Sequence, residues 1–270
     1  MSGQPRTASI RRQRFGTALV LCVASFIFPL YAQPVPVRYQ QGTYHGFLVL
    51  STLQGKPIAH GDLIQVANGN RVTIRLLFNF KDSSQHDETA VYSQRRTFRL
   101  LSYHLIQKGP SFPHPLDVSV NCSSGEVTVH SKEKGGADKA ETDRLKLPVD
   151  LANGLIPTLL TSMAPGSADT TVTFLAATPK PRLLNLVISP EGKDPLSVAG
   201  APRQAIRYRL KMELGGPAGA VATVIGKQPP DAHIWILEED APAFVKMEGQ
   251  LYMDGPVWRI EPASPVWPPQ

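Results

Sequence analysis

Period-two alternation of apolar and polar side chains constrains this chain more than any other feature. In RVTIRLLFNFK, Val72, Ile74, Leu76, Phe78 and Phe80 share one side, while Arg71, Thr73, Arg75, Asn79 and Lys81 share the other. Successive side chains of a strand point to opposite faces, so this segment is a strand with one dry face and one wet face. RQAIRYRLKMEL repeats the device, with Ile206, Tyr208, Leu210, Met212 and Leu214 set against Arg207, Arg209, Lys211 and Glu213. PLDVSVNC and EVTVHS do the same on either side of a hairpin turn at Asn121–Gly125, and Lys81–Asp87 (KDSSQHD) is predicted as a second turn. Further strands are predicted at Phe47–Leu53, Asp62–Ala67, Thr89–Ser93, Thr97–Gln107, Thr171–Ala176, Leu183–Ser189, His233–Leu237, Phe244–Met247 and Val257–Glu261.

The connections between these strands are short, which predicts antiparallel pairing. The 25 prolines and 21 glycines punctuate the chain throughout and oppose long helices. One segment has a helical period. In Asp150–Met163, Leu151, Leu155 and Leu159 recur every four residues behind Asp150 as N-cap, with Gly154 and Pro157 limiting the helix to a short or kinked one. GGPAGAVATVIG, Gly215–Gly226, is small and apolar and is predicted as a loop or one helical turn over a sheet end. The fold expected is mainly β: a strongly curved antiparallel sheet, half-barrel or barrel, around one short central helix.

The N-terminus has a different logic. Arg6, Arg11, Arg12 and Arg14, with no acid, precede an apolar run from Phe15 to Ala32. That run is about 18 residues, at the lower edge of the roughly 17–25 that span a bilayer, and Pro29 breaks its last turn. A basic region, an apolar region and a terminal small residue form a secretory signal, with cleavage expected after Ala32. An uncleaved segment would instead anchor the chain with its arginines on the cytoplasmic side. The expected organisation is a signal at 1–32, an extended leader at 33–43, one β-rich domain at 44–262 and a Pro-rich tail at 263–270, in a periplasmic or secreted protein.

Removing the signal changes the electrostatic reading. The formal charge is +6; without the four arginines, 28 basic residues become 24, against 22 acidic ones. So balanced a surface offers no electrostatic funnel for nucleic acid. Of two cysteines, Cys22 lies in the signal and Cys122 is left alone among alternating valines, a small hydrophobe rather than a reactive thiol.

Motifs that carry chemistry are missing from the local sequence. None of the seven histidines is paired with another at metal-ligand spacing, and the chain has no HExxH, CxxC, Gly-x-Ser-x-Gly elbow or phosphate-binding glycine loop. Neither a cofactor nor a metal is expected. Asp82, His86, Asp87 and Glu88 form the densest acid–histidine cluster; it could be a cation site or an acid/base pair, and its simplest reading is a solvated hairpin tip. Glu238, Glu239 and Asp240 read as a charged turn, since the alternating ligands of a calcium loop are lacking. In AVYSQRRTFRLLSYHLIQKGPSFPHPLDV, Arg95, Arg96 and Arg99 interleave with Tyr92, Phe98 and Tyr103. Arg95, Arg96, Arg99 and Tyr103 are the candidate ligand residues, a cationic rim on an apolar groove suited to an amphiphile with an anionic head. The competing reading is a tight turn at Gln94–Arg96 with wet arginines. Gly109–Pro115 is predicted as a rigid crossing loop that packs Phe112.

The blocks ETAVYSQRRTFRLLSYHLIQKGPSFPHPLDV, PVDLANGL and MEGQLYMDGPVWRIE resemble exported bacterial proteins of unknown function. More distantly, the strand-rich layout with a central helix is similar to the half-barrel of periplasmic lipoprotein carriers and an uncharacterised half-barrel family near them. That resemblance implies an open curved sheet with an apolar concave side around a helix, and brings no catalytic residues. Three functions are therefore expected, in order. The first is a non-enzymatic protein binding a lipid-like molecule within the sheet. The second is an envelope scaffold or protein-interaction module with a filled interior. The third is a hydrolase with dispersed residues.

Overall fold

The structure is a computed structural model that describes residues 34–132, 138–176, 178, 180–198, 201–213 and 229–263. The predicted signal and its cleavage point, Leu214, the loop at 215–226 and residues 264–270 of the tail lie outside the described residues.

Eight strands come first: β1 (Tyr44–Thr52), β2 (Pro57–Asn68), β3 (Arg71–Phe80), β4 (Gln85–Ser93), β5 (Arg99–Lys108), β6 (Leu116–Asn121), β7 (Glu126–Lys132) and β8 (Asp138–Arg144). A short helix follows, α1 (Ile156–Ser162). Six more strands complete the fold: β9 (Thr170–Ala176), β10 (Arg182–Val198), β11 (Ala201–Glu213), β12 (Ala232–Leu237), β13 (Ala243–Gln250) and β14 (Val257–Pro262). All pair antiparallel in one sheet, ordered β8-β7-β6-β5-β4-β3-β2-β1-β14-β13-β12-β11-β10-β9. The chain is thus two meanders joined at β1 and β14, and α1 is the link that carries it from one sheet edge to the other. The sheet curves strongly and does not close.

The curvature is visible in what touches across it. Gln107 on β5 donates from Nε2 to the Leu251 carbonyl in the β13–β14 connection, 2.7 Å, although five strands separate β5 from β13 in the sheet. Phe80 on β3 stacks against Trp258 on β14 with ring centroids 5.5 Å apart. The inward faces of β4 to β7, β9 to β12 and α1 pack into one mainly aliphatic core. A second core, rich in rings, gathers Phe78, Phe80, Phe112 and Trp258 with Leu48 and Ile260. The Gly109–Pro115 loop buries Phe112 there, as expected.

The helix departs from expectation at its start. Leu155 is the N-cap and Pro157 lies in the first turn, where its missing N–H costs nothing. Asp150 does not cap it. Its Oδ2 accepts 3.0 Å hydrogen bonds from the Thr173 N–H and hydroxyl at the free edge of β9. Ala152 N–H donates to the Thr173 carbonyl, and the Asn153 side chain both accepts from the Leu175 N–H and donates to the Leu175 carbonyl. Residues 150–153 therefore cover the β9 edge, which would otherwise be a row of unpaired donors and acceptors. Gly154 turns the chain from that edge into α1 at φ +69°, and a Cβ there would meet Ala90 Cβ at 2.8 Å. The leader docks as well. Val35 is buried, its carbonyl accepts from Phe98 N–H, and the Arg38 guanidinium donates to the Met163 carbonyl at the end of α1.

Two further boundaries move. β8 was not expected, because DKAETDR carries no apolar face. β4 begins at Gln85, so His86, Asp87 and Glu88 belong to a strand rather than to a hairpin tip.

Candidate functional site

A simple length argument says where space is left inside the arch. At about 1.5 Å per residue the seven residues of α1 extend about 10 Å, whereas the ten residues of β3 extend about 34 Å at 3.4 Å per residue. One short helix cannot cover such a strand. Along the inward side of β3, Val72 is buried near the helix and Phe78 and Phe80 are buried in the aromatic core, but Ile74 and Leu76 between them are only half-buried. These two line a cavity of about 600 Å³. That volume falls within the roughly 300–1,000 Å³ of small-molecule sites.

The cavity lies between the sheet and the helix, with Ile156, Pro157, Thr158 and Thr161 on the helix side and Leu48, Leu63, Leu210, Ile234, Phe244 and Met247 among the strand residues opposite. The lining is mainly apolar, and no lysine or arginine is part of it among the described residues. Where it meets solvent, Tyr44, Phe47 and Met253 are 43, 59 and 53 % exposed. Loss of water around the Tyr44 hydroxyl pushes its ionisation up to about 12 although the residue as a whole is part-exposed. Gly46 lines the cavity between Tyr44 and Leu48, and a Cβ there would meet nothing within 4 Å.

One wall is polar, and strand register assembles it. His86 on β4 lies opposite Phe78 on β3 and Gln107 on β5, and Glu88 lies opposite Leu76 and Leu105. Tyr103 is opposite Ala90, one inward position along. His86 is 3 % exposed. Gln107 Nε2 donates to the Leu251 carbonyl, which can only accept, so the amide orientation is set. The same nitrogen stands 3.0 Å from His86 Nδ1, which must then be the acceptor. In its neutral form His86 consequently carries its proton on Nε2. That atom is buried with no hydrogen-bond partner among the described residues; the nearest carboxylate oxygen, Glu88 Oε2, is 3.9 Å away. The other Glu88 oxygen accepts from the Tyr103 hydroxyl at 2.8 Å. Burial, and then the Glu88 charge, hold the Tyr103 phenol well above its ordinary value, so it remains a donor.

The candidate residues read from the sequence separate. Tyr103 is buried and lines the cavity. Arg95 and Arg96 are exposed in the β4–β5 turn, where Arg96 adopts φ +67° and its carbonyl accepts from the Val37 N–H of the leader. Arg99 is exposed on β5, and none of the three arginines lines the cavity. His86 and Glu88 were singled out but assigned to a turn, and Gln107 was missed, although His86, Glu88, Ala90 and Tyr92 do alternate at period two. Asp87 faces outward and holds Arg75 in a bidentate pair at 2.9 and 2.6 Å. Glu238 and Glu239 pair with Lys193 and Arg203, as residues of a charged turn do. Cys122 is half-buried against the aliphatic core, and burial pushes its thiol up to about 11.

No protein-family model matches this chain, and no curated protein matches it. Among solved structures it is similar to the crystal structure of a β-barrel-like protein of Domain of Unknown Function DUF1849 from Brucella abortus, with a TM-score of 0.45 and 9 % identity over 85 % of this chain and 99 % of that one. At that distance the likeness transfers neither a ligand nor a residue role.

Proposed function

We propose that this is an exported, non-enzymatic binding protein that takes the apolar part of a lipid-like molecule into the cavity between α1 and the sheet. The observation that carries the reading is the half-buried stretch of an otherwise buried inward face. Ile74 and Leu76 sit between two well-packed cores, and the space beside them is apolar, sized for a small molecule and open at one side. Apolar surface left uncovered inside a fold is unfavourable by roughly 25 cal/mol per Å², and a chain or ring system placed there removes it from water. A filled interior is what the scaffold alternative needs, and this cavity weighs against it. Export is supported by the basic and apolar layout of the first 32 residues.

The test is a fluorescence titration with N-phenyl-1-naphthylamine, an uncharged apolar probe. Saturable enhancement that is lost in Gly46→Trp, whose side chain would project into the cavity, is the expected result. An unsaturable signal, or equal binding by the variant, would remove the proposal.

A further inference from the structure

The wall of the cavity carries more information than its volume. Its ionisable groups among the described residues are His86, Glu88 and tyrosines; the only carboxylate is Glu88, and no ammonium or guanidinium group opposes it. A carboxylate or phosphate head placed there would face like charge in an apolar setting, where such repulsion is strongest. An unadorned hydrocarbon would leave the His86 Nε2–H without an acceptor, and a buried orphan donor is costly. A hydroxyl satisfies both neighbours, because it accepts once and donates once.

We infer that the site selects neutral amphiphiles whose head is a hydroxyl, held between His86 Nε2–H and the Glu88 carboxylate. The inference rests on the cavity being a ligand site and adds the class of ligand. The geometry is suitable. His86 Nε2 and Glu88 Oε2 are 3.9 Å apart. One oxygen can lie about 2.8 Å from each, with an angle of about 90° between the two hydrogen bonds. Nε2 is buried and unpartnered among the described residues, and the Glu88 side chain beside it is 23 % exposed, so the hydroxyl would enter from the Glu88 side. Both partners are held from behind. Gln107 fixes the imidazole through Nδ1, and Tyr103 fixes the carboxylate through Oε1. The donor and acceptor therefore have defined roles before any ligand arrives, which is what a selective site requires.

The experiment is competition against N-phenyl-1-naphthylamine on the intact protein by three ligands of one chain length: dodecan-1-ol, dodecane and dodecanoate at pH 8. The wild type should bind the alcohol about tenfold more tightly than either of the others. His86→Leu should erase the preference of the alcohol over dodecane. Glu88→Gln keeps the shape and removes the charge, so it should improve dodecanoate binding about tenfold relative to wild type. Equal binding of alcohol and alkane by the wild type, or dodecanoate as the best ligand, would overturn the hydroxyl assignment while leaving the cavity reading intact. Failure of the probe and all three chains to bind would overturn both. The wild-type ranking decides the matter even if a variant fails to fold.

Discussion

The two cores solve the same problem by different means. Near α1 the arch is filled mainly by aliphatic side chains, joined by Tyr92, Phe98, Tyr103 and Tyr208, with Leu155, Leu159 and Leu160 of the helix region set against inward residues of β4 to β7 and β9 to β12. At the other end no helix is present among the described residues, and rings from loops and strands close the space. Phe112 from the β5–β6 loop meets Phe80 and Tyr252 at 5.3 and 5.4 Å between centroids, and Tyr252 meets Trp258 at 6.0 Å. Large rings bury much area per residue, so a few of them can finish an end that a seven-residue helix does not reach. Packing in this fold is thus supplied from the two ends inward. The middle is left to the cavity, with the polar wall at its border with the rings.

Substitutions in the two ends, the middle and the outer face test that division. Phe112→Ala should cost most, about 3–5 kcal/mol, because it empties the centre of the aromatic end. Urea unfolding measures it, and a loss below 1 kcal/mol would mean that the loop does not belong to the core. Leu160→Ala should follow at about 2–5 kcal/mol, as a buried leucine of the helix-filled end.

Asn153→Ala comes next. It removes the partner of both the N–H and the carbonyl of Leu175, which should cost about 1–3 kcal/mol and speed amide exchange at Leu175. Unchanged exchange would show that the β9 edge is not held by residues 150–153. Leu76→Ala should cost only about 1 kcal/mol, since a half-buried side chain facing an existing cavity loses few contacts. A cost like that of Leu160→Ala would mean that the middle is packed like the ends.

The smallest effect belongs to the outer face. Arg75→Met should cost about 0.2–1 kcal/mol, because the Arg75 guanidinium is half exposed in its pair with Asp87. The hydrogen bonds from Arg75 hold the Asp87 carboxyl below its ordinary range. A depressed folded value stabilises above the unfolded value of about 4 and is lost as pH falls through the folded one. The gap between wild type and Arg75→Met should thus be full at pH 6 and close towards pH 2. A gap that widens in acid would refute the pairing.

Much of the architecture was legible because strands with one dry face write that face into the chain at every second position. Val72 to Phe80 and Ile206 to Met212 are examples. The Asn121–Gly125 hairpin was legible too, through the Asn121 side chain that accepts from the Ser123 N–H and shapes the turn. The candidate site was less so. A strand that lines a polar wall need not be apolar, and His86 and Glu88, behind the run from Asp82 to Gln85, look like more of the same turn. Gln107 could not be identified from its neighbours, since its role depends on a carbonyl that only the arch brings near. Asp150 has the position and chemistry of a helix cap, but an uncovered sheet edge competes for the same carboxylate. For the arginines at 95, 96 and 99 the sequence offered a cationic rim or, more simply, a turn with wet arginines; the three cations are exposed, as the turn requires, while Tyr103 turns inward.

The most direct test of the central claim locates a bound chain. A dodecan-1-ol carrying a mid-chain diazirine, photolysed on the full-length protein and mapped by peptide mass spectrometry, should label inward residues such as Ile74, Leu76 and Phe244, and labelling should fall when Gly46 is replaced by Trp. Adducts on Ile64 and Val66 of the outward face, unchanged by that replacement, would contradict the account.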